Sequence, residues 1–99
     1  MMQDRARETA AILLRLGAVS INTREPFTYT SGIKSPIYTD NRLLISYPED
    51  RRRITKFLVA AADEAVGVAN IDLVAGTATA GIPFAAWLAD SLQRPMVYV

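Results

Sequence analysis

Residues 71–87 read IDLVAGTATAGIPFAAW, and the predicted fold rests on the pattern within this stretch. The apolar run 71–75 predicts a strand, the small residues of 76–81 predict a tight loop, and an apolar helix is predicted to begin at 82–83. Backbone N–H groups at the start of a helix have no partners within the helix, and the helix dipole adds positive potential there. The stretch therefore indicates an anion site in a phosphate-handling α/β protein.

A helix and several short extended segments are predicted in the N-terminal half. The helical spacing of apolar residues predicts a helix over 4–16. The β-favouring residues of 18–21 and 27–30, with turn-forming residues between them, predict a short hairpin. Because Pro36 cannot donate a hydrogen bond to a sheet, 37–39 is predicted to be an edge strand at best.

In the C-terminal half, the sequence predicts a long helix followed by a strand–helix–strand unit. Ser46 and Glu49 have the spacing of a helix capping box, and the helix is predicted to end near Gly67. The helix over 82–92 precedes a strand that begins at Met96, which makes a βαβ unit with parallel strands. Because the last strand has no following helix to cover it, we expect these 99 residues to be part of something longer.

The composition restricts the chemistry that this chain can carry. Its 11 basic and 10 acidic side chains leave a formal net charge of +1, which is not the electrostatic footprint of a nucleic-acid-binding protein. It contains no cysteine and no histidine, so thiol chemistry, disulfides and the commonest general base are excluded. Without a membrane-spanning apolar run or a signal-peptide pattern, we expect a cytoplasmic protein with no membrane partner.

The densest charge cluster is formed by Arg51, Arg52 and Arg53. Successive residues of a helix point about 100° apart, so the three are not expected to act as one patch. A solvated helix face is predicted for them.

Two stretches could carry function, and each has a structural alternative. The loop GTATAG (76–81) has the GxxxxG spacing of a Walker A loop, but Ile82 and Pro83 stand where that motif needs Lys and Ser or Thr. It is either an anion-binding loop or a turn of small residues that allows close helix–strand packing. In 28–42, Lys34 and Tyr38 offer a positive contact and a stacking face, and the alternative is a polar hairpin tip.

Three motifs together resemble the N-terminal half of the orotate phosphoribosyltransferase family. They are SGIKSPIYTDNR (31–42), LVAGTATAGIPFAAWLA (73–89) and PMVYV (95–99). The resemblance implies a type I phosphoribosyltransferase fold, an α/β fold with a parallel sheet flanked by helices and a small N-terminal hood hairpin. It implies that 1–99 is the N-terminal portion of a single domain, with the hood at about 18–42 and the start of the core at about 46–99.

The resemblance also implies a reaction and its partners. The family transfers a phosphoribosyl group from phosphoribosyl pyrophosphate to orotate, giving orotidine 5′-monophosphate and pyrophosphate in de novo pyrimidine (UMP) biosynthesis. Mg²⁺ would bind together with phosphoribosyl pyrophosphate and not through residues of this chain. A homodimer is expected, and no nucleic-acid partner.

Site residues follow from the matching positions. Lys34, Tyr38 and Thr39 would line the orotate pocket. The pyrophosphate loop would comprise Gly76, Thr77, Ala78, Thr79, Ala80 and Gly81. Many relatives have Lys where this chain has Thr30 and a Tyr-Lys pair where it has Thr79 and Ala80, so the loop would bind through backbone amides and hydroxyls.

The family's basic mobile loop and acidic phosphoribosyl-pyrophosphate motif would follow Val99. Catalytic residues are therefore expected beyond this chain, and 1–99 alone is expected to be inactive. Loss of pyrophosphate from ribose needs positioning, Mg²⁺ and cations on the leaving group more than it needs a nucleophile. The alternatives are a phosphoribosyltransferase for another base, a non-catalytic nucleotide-sensing regulator with the same fold, and a truncated, inactive piece.

Overall fold

The structure, a computed structural model, describes residues 2–99, and these form two compact units. The N-terminal unit spans residues 3–47 and the C-terminal unit spans residues 48–99. Among residues 2–99 no helix is long and apolar enough to cross a bilayer. The grouping of hood and core into a single phosphoribosyltransferase domain stays a prediction.

The N-terminal unit consists of one long helix, four short strands and a 3-10 helix. In chain order these are α1 (Met2–Leu16), β1 (Val19–Ile21), β2 (Phe27–Thr28), β3 (Lys34–Ser35), β4 (Ile37–Thr39) and the 3-10 helix Asn41–Ser46. The predicted first helix is thus confirmed, with two further residues at its start. It ends because Gly17 adopts a φ of 78°, and the Ala18 amide then donates to the Leu13 carbonyl at 2.9 Å.

The strands of this unit pair differently from the prediction. β1 pairs antiparallel with β4, and β2 pairs antiparallel with β3, so the predicted hairpin of 18–21 with 27–30 is wrong. The tight turn lies instead between β2 and β3, where the Gly32 amide donates to the Tyr29 carbonyl at 2.8 Å. Gly32 has a φ of 88°, which a glycine adopts at little cost. β4 is an edge strand, as predicted after Pro36.

The C-terminal unit contains the predicted βαβ arrangement. Its elements are α2 (Pro48–Ala65), the 3-10 helix Val68–Asn70, β5 (Val74–Gly76), α3 (Gly81–Leu92) and β6 (Met96–Tyr98). β5 and β6 are parallel, with Val74 opposite Met96 and Gly76 opposite Tyr98, which confirms the predicted parallel pair.

Two element boundaries in this unit were predicted incorrectly. α2 begins at Pro48, and Ser46 ends the preceding 3-10 helix, so Ser46 does not occupy the predicted capping position. The strand expected over 71–75 is shorter and lies later, at Val74–Gly76. Ile71 is drawn out of the strand because its amide donates to the Val68 carbonyl at 3.1 Å, closing a 3-10 turn.

The hydrophobic core of the C-terminal unit lies between β5 and α3. The buried residues Val74, Ala85, Ala89 and Leu92 form its centre, and Val59, Val68, Ile71, Leu88 and Met96 pack around them. Along β5 the side chains alternate, so Val74 and Gly76 are buried whereas Ala75 is exposed. α3 therefore packs directly on the face of β5 that carries Gly76, and the loop 77–80 lies where strand and helix meet.

Candidate functional site

The loop between β5 and α3 is held by backbone hydrogen bonds at both ends. At the strand end, the Ala78 amide donates to the Val99 carbonyl at 2.8 Å, and the Val99 amide donates to the Gly76 carbonyl at 2.9 Å. At the helix end, the Gly81 amide donates to the Thr77 carbonyl at 2.9 Å. The peptide bond between Ala78 and Thr79 is cis. Residues 77–80 are exposed on this fixed frame.

The tip of the loop offers hydrogen-bond donors to a ligand. Within residues 2–99, neither the Thr79 amide nor the Ala80 amide has a hydrogen-bond partner. Ala80 occupies the N-cap position of α3, and no side chain caps this helix. An uncapped helix start carries partial positive charge and unsatisfied N–H groups, which together favour an anion. The predicted anion-binding role is therefore chemically feasible without a lysine in the loop.

The two glycines of the loop have different roles in packing. A Cβ atom on Gly76 would lie 2.7 Å from the Ala85 Cβ, far inside van der Waals contact. A Cβ atom on Gly81 would meet nothing nearer than the Thr77 Cβ, at 3.7 Å. Close helix–strand packing thus explains Gly76 but does not explain the rest of the loop. The two alternatives drawn from the sequence are not exclusive.

The residues predicted for the orotate pocket lie on two strands of the N-terminal unit. Lys34 is on β3, opposite Thr28, and Tyr38 and Thr39 are on β4; all three predicted residues are exposed. The Tyr38 ring contacts the Phe27 ring, with centroids 5.7 Å apart and planes inclined by 40°. Tyr38 is 44% exposed, so the ring still presents surface to a ligand.

An ion pair that was not predicted from the sequence lies directly after β4. The Arg42 guanidinium donates to both carboxylate oxygens of Asp40, at 2.8 and 3.0 Å. The side-chain hydrogen bond from Arg42 lowers the pKa of Asp40 below its usual value. The Asp40 amide also donates to the Ala18 carbonyl at 2.7 Å, which fixes the end of β4 beside Thr39. The D-x-R spacing in 40–42 was the signal available for this pair.

The predicted site residues therefore fall in both compact units. Lys34, Tyr38 and Thr39 belong to the N-terminal unit, and the loop 76–81 belongs to the C-terminal unit. Their assembly into one active site stays a prediction.

Comparison with known proteins identifies close relatives. No protein-family model matches the chain. The chain is 53% identical to the orotate phosphoribosyltransferase of Coxiella burnetii over 96 residues, which cover 97% of this chain and 45% of that protein. It is 52% identical to the enzyme of the same name from Enterococcus faecalis over 94 residues, covering 95% of this chain and 44% of the relative. The chain thus spans less than half the length of these curated relatives.

Solved structures show the same fold. The orotate phosphoribosyltransferase of Aeropyrum pernix matches 92% of this chain and 52% of its own, with a TM-score of 0.76 and 32% identity. The UMP synthase of Leishmania donovani matches 92% of this chain and 19% of its own, with a TM-score of 0.74 and 30% identity. The predicted α/β fold, the N-terminal part of a type I phosphoribosyltransferase, is confirmed. In sequence and in fold, the chain corresponds to the N-terminal part of the orotate phosphoribosyltransferases, as its three motifs predicted.

Proposed function

We propose that this chain is the N-terminal part of an enzyme that transfers a phosphoribosyl group from phosphoribosyl pyrophosphate to orotate. The products are orotidine 5′-monophosphate and pyrophosphate. The observation that carries the proposal is the 53% identity over 97% of the chain, because this length includes both the loop 76–81 and the motif 31–42. Relatives that carry the name of this enzyme favour it over a regulator or a transferase for another base.

In this proposal the loop 76–81 receives the pyrophosphate group. The free amides of Thr79 and Ala80 would donate to phosphate oxygens, and the hydroxyls of Thr77 and Thr79 add further donors. Donors fixed in advance stabilise the negative charge that grows on the leaving group as its bond to ribose breaks. The frame of hydrogen bonds to Val99 and Gly76 keeps these donors in place before substrate arrives.

The N-terminal unit would hold orotate. Lys34 has no ion-pair partner within residues 2–99, so its ammonium group is available to an anionic substrate. Tyr38, supported from one side by Phe27, would lie against the orotate ring together with Thr39. The Asp40–Arg42 ion pair would position these residues without contacting the substrate itself.

We propose that the remaining requirements for turnover are met outside these residues. We propose that Mg²⁺ binds together with phosphoribosyl pyrophosphate, and we assign it no ligand from residues 2–99. Catalytic cations and the acidic ribose-binding motif would come from sequence beyond Val99, so 1–99 alone should not turn over. We further propose a homodimer that works in the cytoplasm, in de novo pyrimidine biosynthesis.

The test is turnover of the full-length protein with phosphoribosyl pyrophosphate and Mg²⁺. Orotate, uracil and adenine are supplied in separate reactions, and each base is followed by chromatography together with released pyrophosphate. Consumption of orotate alone supports the proposal. Turnover of another base in place of orotate would identify a sister transferase. Binding of phosphoribosyl pyrophosphate without turnover of any base would identify a regulator.

A further inference from the structure

A cleft lies within the C-terminal unit, between α2 and α3. Its volume is about 410 Å³, which is within the range of small-molecule sites. The residues that line it are Pro48, Arg51, Arg52, Thr55, Lys56, Val59, Trp87, Asp90 and Ser91. The cleft is distinct from the loop 76–81, since Asp90 lies nine residues along α3 from Gly81, or about 14 Å at 1.5 Å per residue.

The cleft carries a net positive charge. Arg51, Arg52 and Lys56 line it together with a single carboxylate, that of Asp90, so three positive charges face one negative charge. Arg52 is exposed and Arg51 is half-buried, so the predicted solvated helix face stands for Arg52, and the long side chains of both residues reach this cleft. Arg53 lies elsewhere, with its guanidinium carbon 5.2 Å from the centre of the Phe57 ring.

One wall of the cleft is aromatic and holds a cation in place. The guanidinium carbon of Arg51 lies 5.2 Å from the centre of the Trp87 ring, at cation–π distance. Phe84 contacts Trp87 edge-on, with ring centroids 5.5 Å apart, and so supports the indole. The contact with Trp87 therefore limits where the Arg51 guanidinium can lie.

The other walls of the cleft are formed by an apolar side chain and by hydroxyl groups that already donate hydrogen bonds within the protein. The Thr55 hydroxyl donates to the Arg51 carbonyl at 2.8 Å, and the Ser91 hydroxyl donates to the Trp87 carbonyl at 2.8 Å. Val59 is half-buried and lines the cleft beside them. The hydroxyl protons are thus used internally, and the exposed cations Arg52 and Lys56 are the chief donors to a ligand.

We propose that this cleft binds a small organic phosphate about the size of a nucleoside monophosphate. The phosphate would lie among Arg51, Arg52 and Lys56, where charge-assisted hydrogen bonds are strongest. The organic part would lie along Trp87 and Val59. The volume and the combination of an apolar wall with a cationic rim favour a small molecule over an acidic peptide.

Trp87 makes the proposal directly testable, because it is the only tryptophan of the chain. The fluorescence of Trp87 is followed while the protein is titrated with uridine 5′-monophosphate, and inorganic phosphate and uridine serve as comparison ligands. We expect a saturable change with the nucleotide that weakens as salt is added. Inorganic phosphate should bind at least about tenfold more weakly, and uridine should give no saturable change.

Variants separate this cleft from any other nucleotide site. Arg52 and Lys56 are both exposed, so the double variant R52A/K56A should fold, which circular dichroism checks. It should bind uridine 5′-monophosphate at least about tenfold more weakly. The matched control R53A removes a neighbouring positive charge outside the cleft and should stay within about twofold of the parent protein. The absence of a saturable change up to about 10 mM, or equal affinities in R52A/K56A and the parent, would overturn the proposal.

Discussion

Replacement of Gly76 by alanine is the sharpest test of how the loop is built. The new Cβ would lie 2.7 Å from the Ala85 Cβ and 3.1 Å from the Gly81 carbonyl oxygen. Carbon atoms pack best at about 3.5–4.0 Å, so strand and helix must separate by about 1 Å. Overpacking of this kind costs about 1–3 kcal/mol, and alanine recovers up to about 1 kcal/mol by restricting the unfolded chain. We expect Gly76→Ala to lower the free energy of unfolding by about 1–2 kcal/mol.

Gly81→Ala is the matched control in the same loop. Its Cβ would have ordinary contacts, the nearest at 3.7 Å, and Gly81 is the first residue of α3. Because alanine is the better helix former, stability should be unchanged or should rise by up to about 1 kcal/mol. Urea unfolding, followed by Trp87 fluorescence and by circular dichroism, measures both variants.

A double-mutant cycle locates the cause in the Gly76–Ala85 contact. Ala85→Gly removes the methyl group that the new Cβ would meet. Gly76→Ala should therefore cost at least about 1 kcal/mol less in the Ala85→Gly variant than in the parent protein. Two results would refute the reasoning: a Gly76→Ala variant as stable as the parent, or purely additive effects in the cycle. Either would mean that α3 is not held against β5 as closely as the structure shows.

Three further predictions concern other parts of the chain. The Arg94 guanidinium donates to the carbonyls of Ile71, Val68 and Leu92. Arg94→Ala should therefore lower the free energy of unfolding, measured in urea, by about 1–3 kcal/mol. Arg94→Lys should recover only part of this loss. The pKa of Asp40 is lowered by Arg42, so the ion pair stabilises the fold above the usual carboxyl pKa and this contribution is lost as pH falls through the lowered value. Carboxyl NMR titration should show the Asp40 pKa rising toward its usual value in Arg42→Ala, and an unchanged titration would contradict the pairing. Ala80→Asp places a negative charge at the start of α3 and should weaken pyrophosphate binding at least about tenfold by calorimetry, whereas Ala80→Ser should stay within about threefold.

The elements of this fold were largely predictable because they depend on local patterns. Apolar residues at helical spacing predicted α1, and the apolar stretch after the small-residue loop predicted α3. The order of strand, helix and strand predicted the parallel pair of β5 and β6. A parallel connection requires a crossover, and α3 is the helix that provides it. The motifs 31–42 and 73–89 likewise pointed to the orotate phosphoribosyltransferases, the proteins to which the chain is similar, because each motif keeps its residue types at fixed spacing.

Strand pairing was decided only by the tertiary structure. β-Propensity identified extended residues in 18–21 and 27–30 but could not say that β1 pairs with β4, because pairing depends on which turn closes. The glycine turn at Gly32 closes β2 on β3 and leaves β1 for the later strand.

The loop GTATAG shows the same division between sequence and structure. Its spacing alone left open whether the glycines serve packing or a ligand, since both uses require small residues. The structure assigns Gly76 to packing against Ala85 and leaves the amides of Thr79 and Ala80 open at the uncapped start of α3. Only the tertiary structure could make this distinction, because the steric limit on Gly76 comes from Ala85, which lies on α3 and not in the loop itself.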